Sequence, residues 1–343
     1  MSVLGKMLSG KLIANVVVLA AFVVFPIVYG EYQAQLMGKF LVFGVLALSL
    51  DMMWGYTGVI NFSQATFFGV GAYGAALTMK HVMVPGASYL AILVAIAAPA
   101  LLGAVMGYVL FYGRVGGVYF AIVTLAVGTI FYSLSIVLIG FTGGLNGLYG
   151  FPPLRLGIPG VWESVLNLGN IPVVYYTVLV LTVLVFLFAR GIVGSPFGRA
   201  LRAVRSNETR TEFTGYDVAA LKMITLAISG GIAGLAGAMY IPVGVVSPET
   251  LGVLFSTNVI VWVAVGGRGT LIGPLVGAVV IGYLQTFLSE TLVSVWLLVI
   301  GVFFIFVVLF WPDGIVGFVR QRVYPLLTRL RRSTRANSDS VRA

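Results

Sequence analysis

The chain has 343 residues, of which 60% are hydrophobic and 9% charged, with 44 glycines, no cysteine, one histidine and a formal charge of +10. A soluble domain carries roughly 25% charged residues, so most of this surface must face lipid rather than water. Disulfides, thiolate chemistry and a histidine metal cluster are excluded, and the basic excess lies between apolar spans, where positive-inside topology explains it without nucleic acid.

The N-terminal stretch begins with Lys6 and Lys11 and runs into an apolar segment, 12–29. That run is of bilayer-spanning length and lacks a small-residue cleavage pattern, so it is expected to be retained as a helix. Further apolar runs follow at 36–54, 58–79, 88–112, 117–139, 172–190, 222–243, 255–266, 270–288 and 292–311. The expected fold is an all-α integral membrane protein of about ten transmembrane helices. Two runs are weak. The 58–79 run is interrupted by Asn61, Ser63, Gln64 and glycines, and 255–266 is short for about 30 Å of hydrocarbon.

Charge sets the expected orientation. The 190–222 connection carries Arg190, Arg199, Arg202, Arg205, Arg210 and Lys222, and the tail 320–343 is rich in arginine. Both should be cytoplasmic, with both termini inside. An even number of crossings then places Arg114 and Arg268 inside and the 140–171 loop outside. The expected division is a permease domain over 1–319, including a cytoplasmic loop at 191–221, and a basic cytoplasmic tail over 320–343. Five spans per half would give the two halves opposite topology, as in inverted repeats. Glycine-rich stretches at Gly55–Gly74 and Gly266–Gly282 echo one another faintly.

Three segments carry chemistry. In Trp54–Tyr73, glycines loosen the helix, and Asn61, Ser63 and Gln64 put amides and a hydroxyl at membrane depth. Such groups either line a wet solute path or bond neighbouring helices. In Gly140–Gly150, Thr142 and Asn146 sit in a turn-rich stretch ahead of Pro152-Pro153. It is either an external gate and docking surface or an ordinary outer loop. In Ser195–Gly215, Pro196 suits a helix start and Gly215 a helix end, around a short basic amphipathic helix. That helix either lies on anionic headgroups or docks into a cytoplasmic partner.

No G-x-x-x-x-G-K-[ST] phosphate loop is present, so the chain itself should not hydrolyse ATP, and no nucleophile–base constellation marks an enzyme. Asp51 is the one carboxylate embedded in an apolar run, either functional or paired with a helix end or an arginine, while Glu290 lies at a span edge. A proton- or sodium-coupled carrier usually needs several intramembrane ionisable groups, which disfavours that class. A stand-alone small-solute channel remains an alternative, although it would not need the 195–215 helix.

Taken in order, Asp51-Met-Met-Trp-Gly-Tyr-Thr-Gly, Gly69-Val-Gly-Ala-Tyr73, Thr142-Gly-Gly-Leu-Asn-Gly147, Gly198-Arg-Ala-Leu-Arg-Ala-Val-Arg, Gly215-Tyr-Asp-Val, Ser229-Gly-Gly-Ile-Ala-Gly-Leu-Ala-Gly-Ala-Met-Tyr240 and Gly266-Gly-Arg-Gly-Thr-Leu-Ile-Gly-Pro274 resemble the permease family of branched-chain amino acid ABC transporters. The resemblance covers roughly 36–311 and is closest to the longer of the two paired permease subunits. It implies an importer subunit of a bacterial cytoplasmic (inner) membrane, with a second permease, two ATPases that use ATP and Mg, and an extracytoplasmic solute-binding protein. No cofactor is implied in this chain. The functional readings of the segments place a substrate pathway at Asn61, Ser63, Gln64, Thr142 and Asn146, and the resemblance favours ATPase coupling at Arg199, Leu201, Arg202, Val204, Arg205, Glu212 and Gly215, with Leu201 and Val204 as apolar anchors. Glu212-Phe-Thr-Gly215 is a degenerate form of the E-A-A-x-x-x-G signature of such importers. Urea and short-amide permeases are close relatives of this family and stand as the alternative substrate class.

Overall fold

The computed structural model describes residues 3–82, 84, 86–158, 162–292, 295–310 and 314–318. The tail 320–343 and the side chains of Lys6 and Lys11 lie outside the described residues. In chain order the helices are α1 (Val3–Thr57), α2 (Gln64–His81), α3 (Ala87–Gly107), α4 (Gly117–Val137), α5 (Ile139–Thr142), α6 (Ile171–Gly194), α7 (Pro196–Ser206), α8 (Glu208–Phe213), α9 (Val218–Tyr240), α10 (Val253–Gly266), α11 (Ile272–Thr291), α12 (Trp296–Phe310) and α13 (Gly314–Phe318).

Each expected apolar run overlaps a helix, the 58–79 run only from Gln64 onward. Among the described residues six helices are long and apolar enough to cross a bilayer: Phe22–Thr57, Ala87–Tyr112, Gly117–Val137, Ile171–Gly194, Val218–Tyr240 and Ile272–Thr291. The two first runs share α1, which changes direction at Gly30, where φ is 79°. Only glycine adopts that conformation without strain. Just before it, Pro26 supplies no N–H to the carbonyl four residues back, which is that of Phe22. The Tyr175 hydroxyl donates to that carbonyl at 2.7 Å, and Tyr176 donates to the neighbouring Val23 carbonyl at 3.1 Å.

The all-α class holds, with one short hairpin added in a loop. The 140–171 connection contains an antiparallel hairpin, β1 (Arg155–Ile158) and β2 (Trp162–Asn167), with Arg155 opposite Asn167 and Leu156 opposite Leu166. The two strands satisfy each other's backbone, which a loop of this length outside a helix otherwise leaves to water.

The second half of α1 forms the centre. Leu46, Ala47, Leu48, Leu50 and Met53 have no exposed surface. Around it, α2, α3 and α9 pack through glycines. A Cβ on Gly71 would strike the Gly234 backbone, and one on Gly103 would come within 2.7 Å of the Leu226 carbonyl. In lipid, where apolar surface gains little from leaving the solvent, such close backbone approach is what holds helices together.

Contacts sort the loops into two ends. Arg205 bonds the Gly55 carbonyl, the Asp51 carboxylate bonds the 269–271 backbone, and Tyr112 donates to Asp217 at 3.0 Å. At the other end Leu148 pairs with Val246, and the Arg155 N–H donates to Ser88 at 2.9 Å. The loops that alternation assigned to one side therefore share one end.

Candidate functional site

After Thr57 the chain leaves the helix at Gly58 (φ 83°) and does not resume it until Gln64. This break falls inside the bundle. The Asn61 side chain closes a local turn by accepting from the Ser63 N–H at 3.0 Å and the Ser63 hydroxyl at 2.8 Å. Its Nδ2 donates to Gln64 Oε1 at 2.9 Å. Gln64 Nε2 then donates to the hydroxyls of Ser49 (2.6 Å) and Ser229 (3.0 Å), and the Ser229 hydroxyl donates to the Ser49 carbonyl at 2.6 Å.

The partners fix the depth of this seam. Ser229 lies near the middle of α9, Ser49 two turns before the end of α1, and Thr124, which accepts from the Phe62 N–H at 3.2 Å, two turns into α4. The seam is thus well inside the spanning region. Ser49, Asn61, Ser63, Gln64, Thr124, Ser229 and Ser256 all have 0% exposed surface. The amide N–H of Ala65 donates to Ser256 Oγ at 3.0 Å, joining the start of α2 to the start of α10.

Asn61, Ser63 and Gln64 are therefore brought together, buried and hydrogen-bonded. In this conformation Gln64 bonds neighbouring helices, whereas Asn61 and Ser63 bond within the 61–64 turn. Gln64→Ala removes the hub and leaves the Asn61 amide without its acceptor. A buried polar group without a partner costs about 1–3 kcal/mol. Thermal unfolding in detergent should register a loss of about 2 kcal/mol, and an unchanged midpoint would mean that the seam contributes nothing.

Thr142 and Asn146 do not join this seam. They lie beyond the far end of α4. The Thr142 hydroxyl donates to Ser135 (2.5 Å) and Leu138 (2.8 Å) carbonyls and accepts from Gly144 N, while Asn146 is exposed.

The 195–215 segment forms two helices. The Ser195 hydroxyl caps α7 by accepting from Gly198 N at 3.4 Å, and Asn207 caps α8 by accepting from Arg210 N at 2.9 Å. The placement of Leu201 and Val204 as anchors for a partner is corrected here. They are 1% and 3% exposed and pack inward, because the apolar face of α7 meets the chain's own transmembrane body. Arg199, Arg202, Arg205, Glu212 and Gly215 are exposed, and so is Phe213, at 88%. Arg202 also donates to the Val193 carbonyl at 2.9 Å. Lys222, 5% exposed at the base of α9, pairs with Glu208 at 2.5 Å and lies 5.6 Å from the Phe111 ring centroid.

Asp51 belongs to this same end. Its Oδ1 accepts from Gly269 N at 2.6 Å and its Oδ2 from Leu271 N at 3.2 Å. The Tyr56 hydroxyl donates to the Gly269 carbonyl at 3.1 Å, and the Arg268 guanidinium lies 5.4 Å from the Trp54 ring centroid. Of the two readings, pairing with a helix end describes Asp51, since Leu271 caps the start of α11. Sequence reasoning missed Ser49, Thr124 and Ser256 altogether. Single hydroxyls in apolar helices carry no periodic signal, and their partners stand up to 191 residues away.

The family model described as branched-chain amino acid transport system / permease component matches residues 32–308. The high-affinity branched-chain amino acid transport system permease protein LivM of Escherichia coli is 25% identical over 325 residues, 90% of this chain and 75% of that protein. The corresponding permease protein BraD of Pseudomonas aeruginosa is 26% identical over 304 residues, 85% and 97% of the two chains. The ribose import permease protein RbsC of Haemophilus influenzae is 30% identical over 129 residues, 36% of this chain and 40% of that one. No solved structure matches the chain. With the family match spanning most of a bundle of apolar helices around a buried polar seam, the chain belongs to the branched-chain amino acid transport system permease component family.

Proposed function

We propose that the chain is the membrane-spanning subunit of an ATP-driven importer that moves branched-chain amino acids across a bacterial inner membrane. It is a transport subunit and not an enzyme, as its relatives are. The observation that carries the reading is the family match over residues 32–308. In this reading the basic end, with α7 and α8, faces the cytoplasm, the hairpin end faces outward, both termini are inside, and the chain makes ten crossings. The partners are a second permease, two cytoplasmic ATPases that use ATP and Mg, and an extracytoplasmic binding protein. Asn61, Ser63, Gln64, Thr142 and Asn146 belong to the solute pathway. Asn61, Ser63 and Gln64 enter it when the seam opens.

The test is uptake into proteoliposomes holding the complete complex. Leucine uptake should require ATP and the binding protein, and purified chain alone should hydrolyse no ATP. Robust hydrolysis by the chain alone, or equal uptake without nucleotide, would sink the reading in favour of a channel. Urea and ribose serve as competing solutes, since the match to a ribose permease covers part of this chain.

Coupling to the ATPases falls to the face of α7 and α8 that the chain leaves free. Phe213 is its exposed aromatic, flanked by Arg210 and Glu212. A central aromatic anchor contributes about 2 kcal/mol at an interface, whereas exposed charges contribute well under 1. Phe213→Ala should therefore weaken ATPase binding about thirtyfold, read as lost recovery on co-purification, at unchanged thermal stability. Leu201→Asp, which puts a charge in the chain's own core, should instead lower the stability itself. The reverse pattern would return the partner contact to Leu201.

A further inference from the structure

Two helices begin inside the bundle and face each other. Helix α2 starts at Gln64 and α10 at Val253, and neither N-cap, Ser63 or Gly252, provides a side-chain cap. The Ala65–Ser256 bond at 3.0 Å brings the two starts together. Helix N-termini carry partial positive charge on amides without intrahelical partners. Two such ends meeting at membrane depth favour an anion or another strong acceptor between them.

A second observation points to the same place. Thr66, in the first turn of α2, has no exposed surface, and its hydroxyl has no partner. The other buried threonines among the described residues, Thr57, Thr124, Thr142, Thr182, Thr211, Thr225 and Thr250, each donate to a backbone carbonyl. The Thr66 hydroxyl points at Gly128 of α4. A Cβ built on Gly128 would lie 3.5 Å from Thr66 Oγ1, 3.6 Å from Val253 Cγ2 and 3.8 Å from the Phe62 carbonyl. The absent side chain of Gly128 thus leaves a wedge bounded by an unsatisfied donor and by the first residue of α10. Among the described residues, α4 buries only Phe120, Thr124, Gly128 and Ser135 fully, with Val127 and Phe131 packed partly against the core.

We propose that the wedge between Thr66, Val253 and Gly128 is a contact site for the carboxylate of the translocated amino acid, which meets the Thr66 hydroxyl and the first-turn amides of α10 when α4 withdraws. The proposal rests on the amino-acid substrate assigned above and deepens it by naming the group recognised.

The structure makes the test selective. Thr66→Val is nearly isosteric and removes no hydrogen bond. Gly128→Ala places its methyl at ordinary contact distances. Neither should lower the thermal midpoint of the complete, reconstituted transporter. Both should cut leucine uptake at least tenfold, the first by losing a donor and the second by filling the wedge. Because the chain has no cysteine, Gly128→Cys gives an independent readout. A small anionic thiol reagent should modify it during ATP turnover, and excess leucine should protect it while leucinamide, which lacks the carboxylate, should not. Wild-type uptake in both variants, or a cysteine that is inert in every nucleotide state, overturns the site. Equal protection by leucinamide overturns the carboxylate assignment. A wild-type transporter that takes up no leucine overturns the substrate reading on which that assignment rests, whereas normal wild-type uptake with unaffected variants overturns the site alone.

Discussion

Gly234→Leu is expected to abolish the folded protein. Gly234 lies on α9 where α2 and α3 cross it. A Cβ there would collide with the Ala95 carbonyl and with Pro99 Cγ, and the Gly71 backbone already rests against Gly234 from the other side. These neighbours are backbone and a proline ring, which cannot rotate away as a flexible side chain can. The helices would have to separate, and the seam bond from Gln64 on α2 to Ser229 on α9 would go with them. Overpacking usually costs about 1–3 kcal/mol, but the larger values come with backbone displacement and broken polar networks, so about 4 kcal/mol or more is expected. Membrane fractions should contain little monodisperse protein. Gly231→Ala is the control on the same helix. Its Cβ would meet Ala100 and Ile96 at 3.5–3.7 Å, ordinary contact, and the midpoint should stay within about 0.5 kcal/mol of wild type. If both variants purify alike, close approach at Gly234 is not what holds α2, α3 and α9 together.

Asp51→Ala is expected to be the most damaging single polar change. The carboxylate holds two backbone N–H groups of the α10–α11 connection, those of Gly269 and Leu271. Leu271 has φ 59°, a conformation that a branched side chain adopts at a cost of about 1–3 kcal/mol and keeps only when its surroundings hold it. Gly55 makes room for the clamp, since a Cβ there would strike Asp51 Oδ1 and come within 2.8 Å of the Gly269 backbone. Arg205 of α7 ties in by donating to the Gly55 carbonyl. Removing the carboxylate strands two donors, for about 3 kcal/mol in all. Asp51→Asn keeps one acceptor and should lose about half as much. Adding Leu271→Gly to Asp51→Asn relieves the strained backbone and should recover about 1 kcal/mol. Thermal unfolding of the four proteins checks the series, and a wild-type midpoint for Asp51→Ala would remove Asp51 from the fold's supports.

The apolar runs were legible because each is a local property. A run such as 172–190 states its solvent and its length, and α6 forms over Ile171–Gly194 accordingly. The Asn61–Gln64 interruption was equally plain as a break, since polar side chains and glycines cannot continue a lipid-facing helix unnoticed. Its meaning was not plain. Whether Gln64 faced water or other helices depended on Ser49 and Ser229, which reach it from α1 and α9. The amphipathic pattern of α7 was correct as a pattern, but an apolar face does not say what covers it. Leu201 and Val204 turned toward the chain's own body, and the exposed Phe213 drew no notice because one aromatic makes no stripe.

By itself, then, the sequence determined that lipid is the main solvent of this protein, that its long elements are helices, and which of its loops share an end. Those follow from composition, run length and the distribution of arginine, all of which are read along the chain. The tertiary structure alone decided that Asp51 clamps a loop 218 residues away, that Gln64 joins three helices, and that Thr66 is left without a partner beside Gly128. The physical reason is the same in each case. A buried polar group must be satisfied by whatever donor or acceptor packing brings to it, and inside a bundle that partner comes from another helix, at a separation that no local periodicity records.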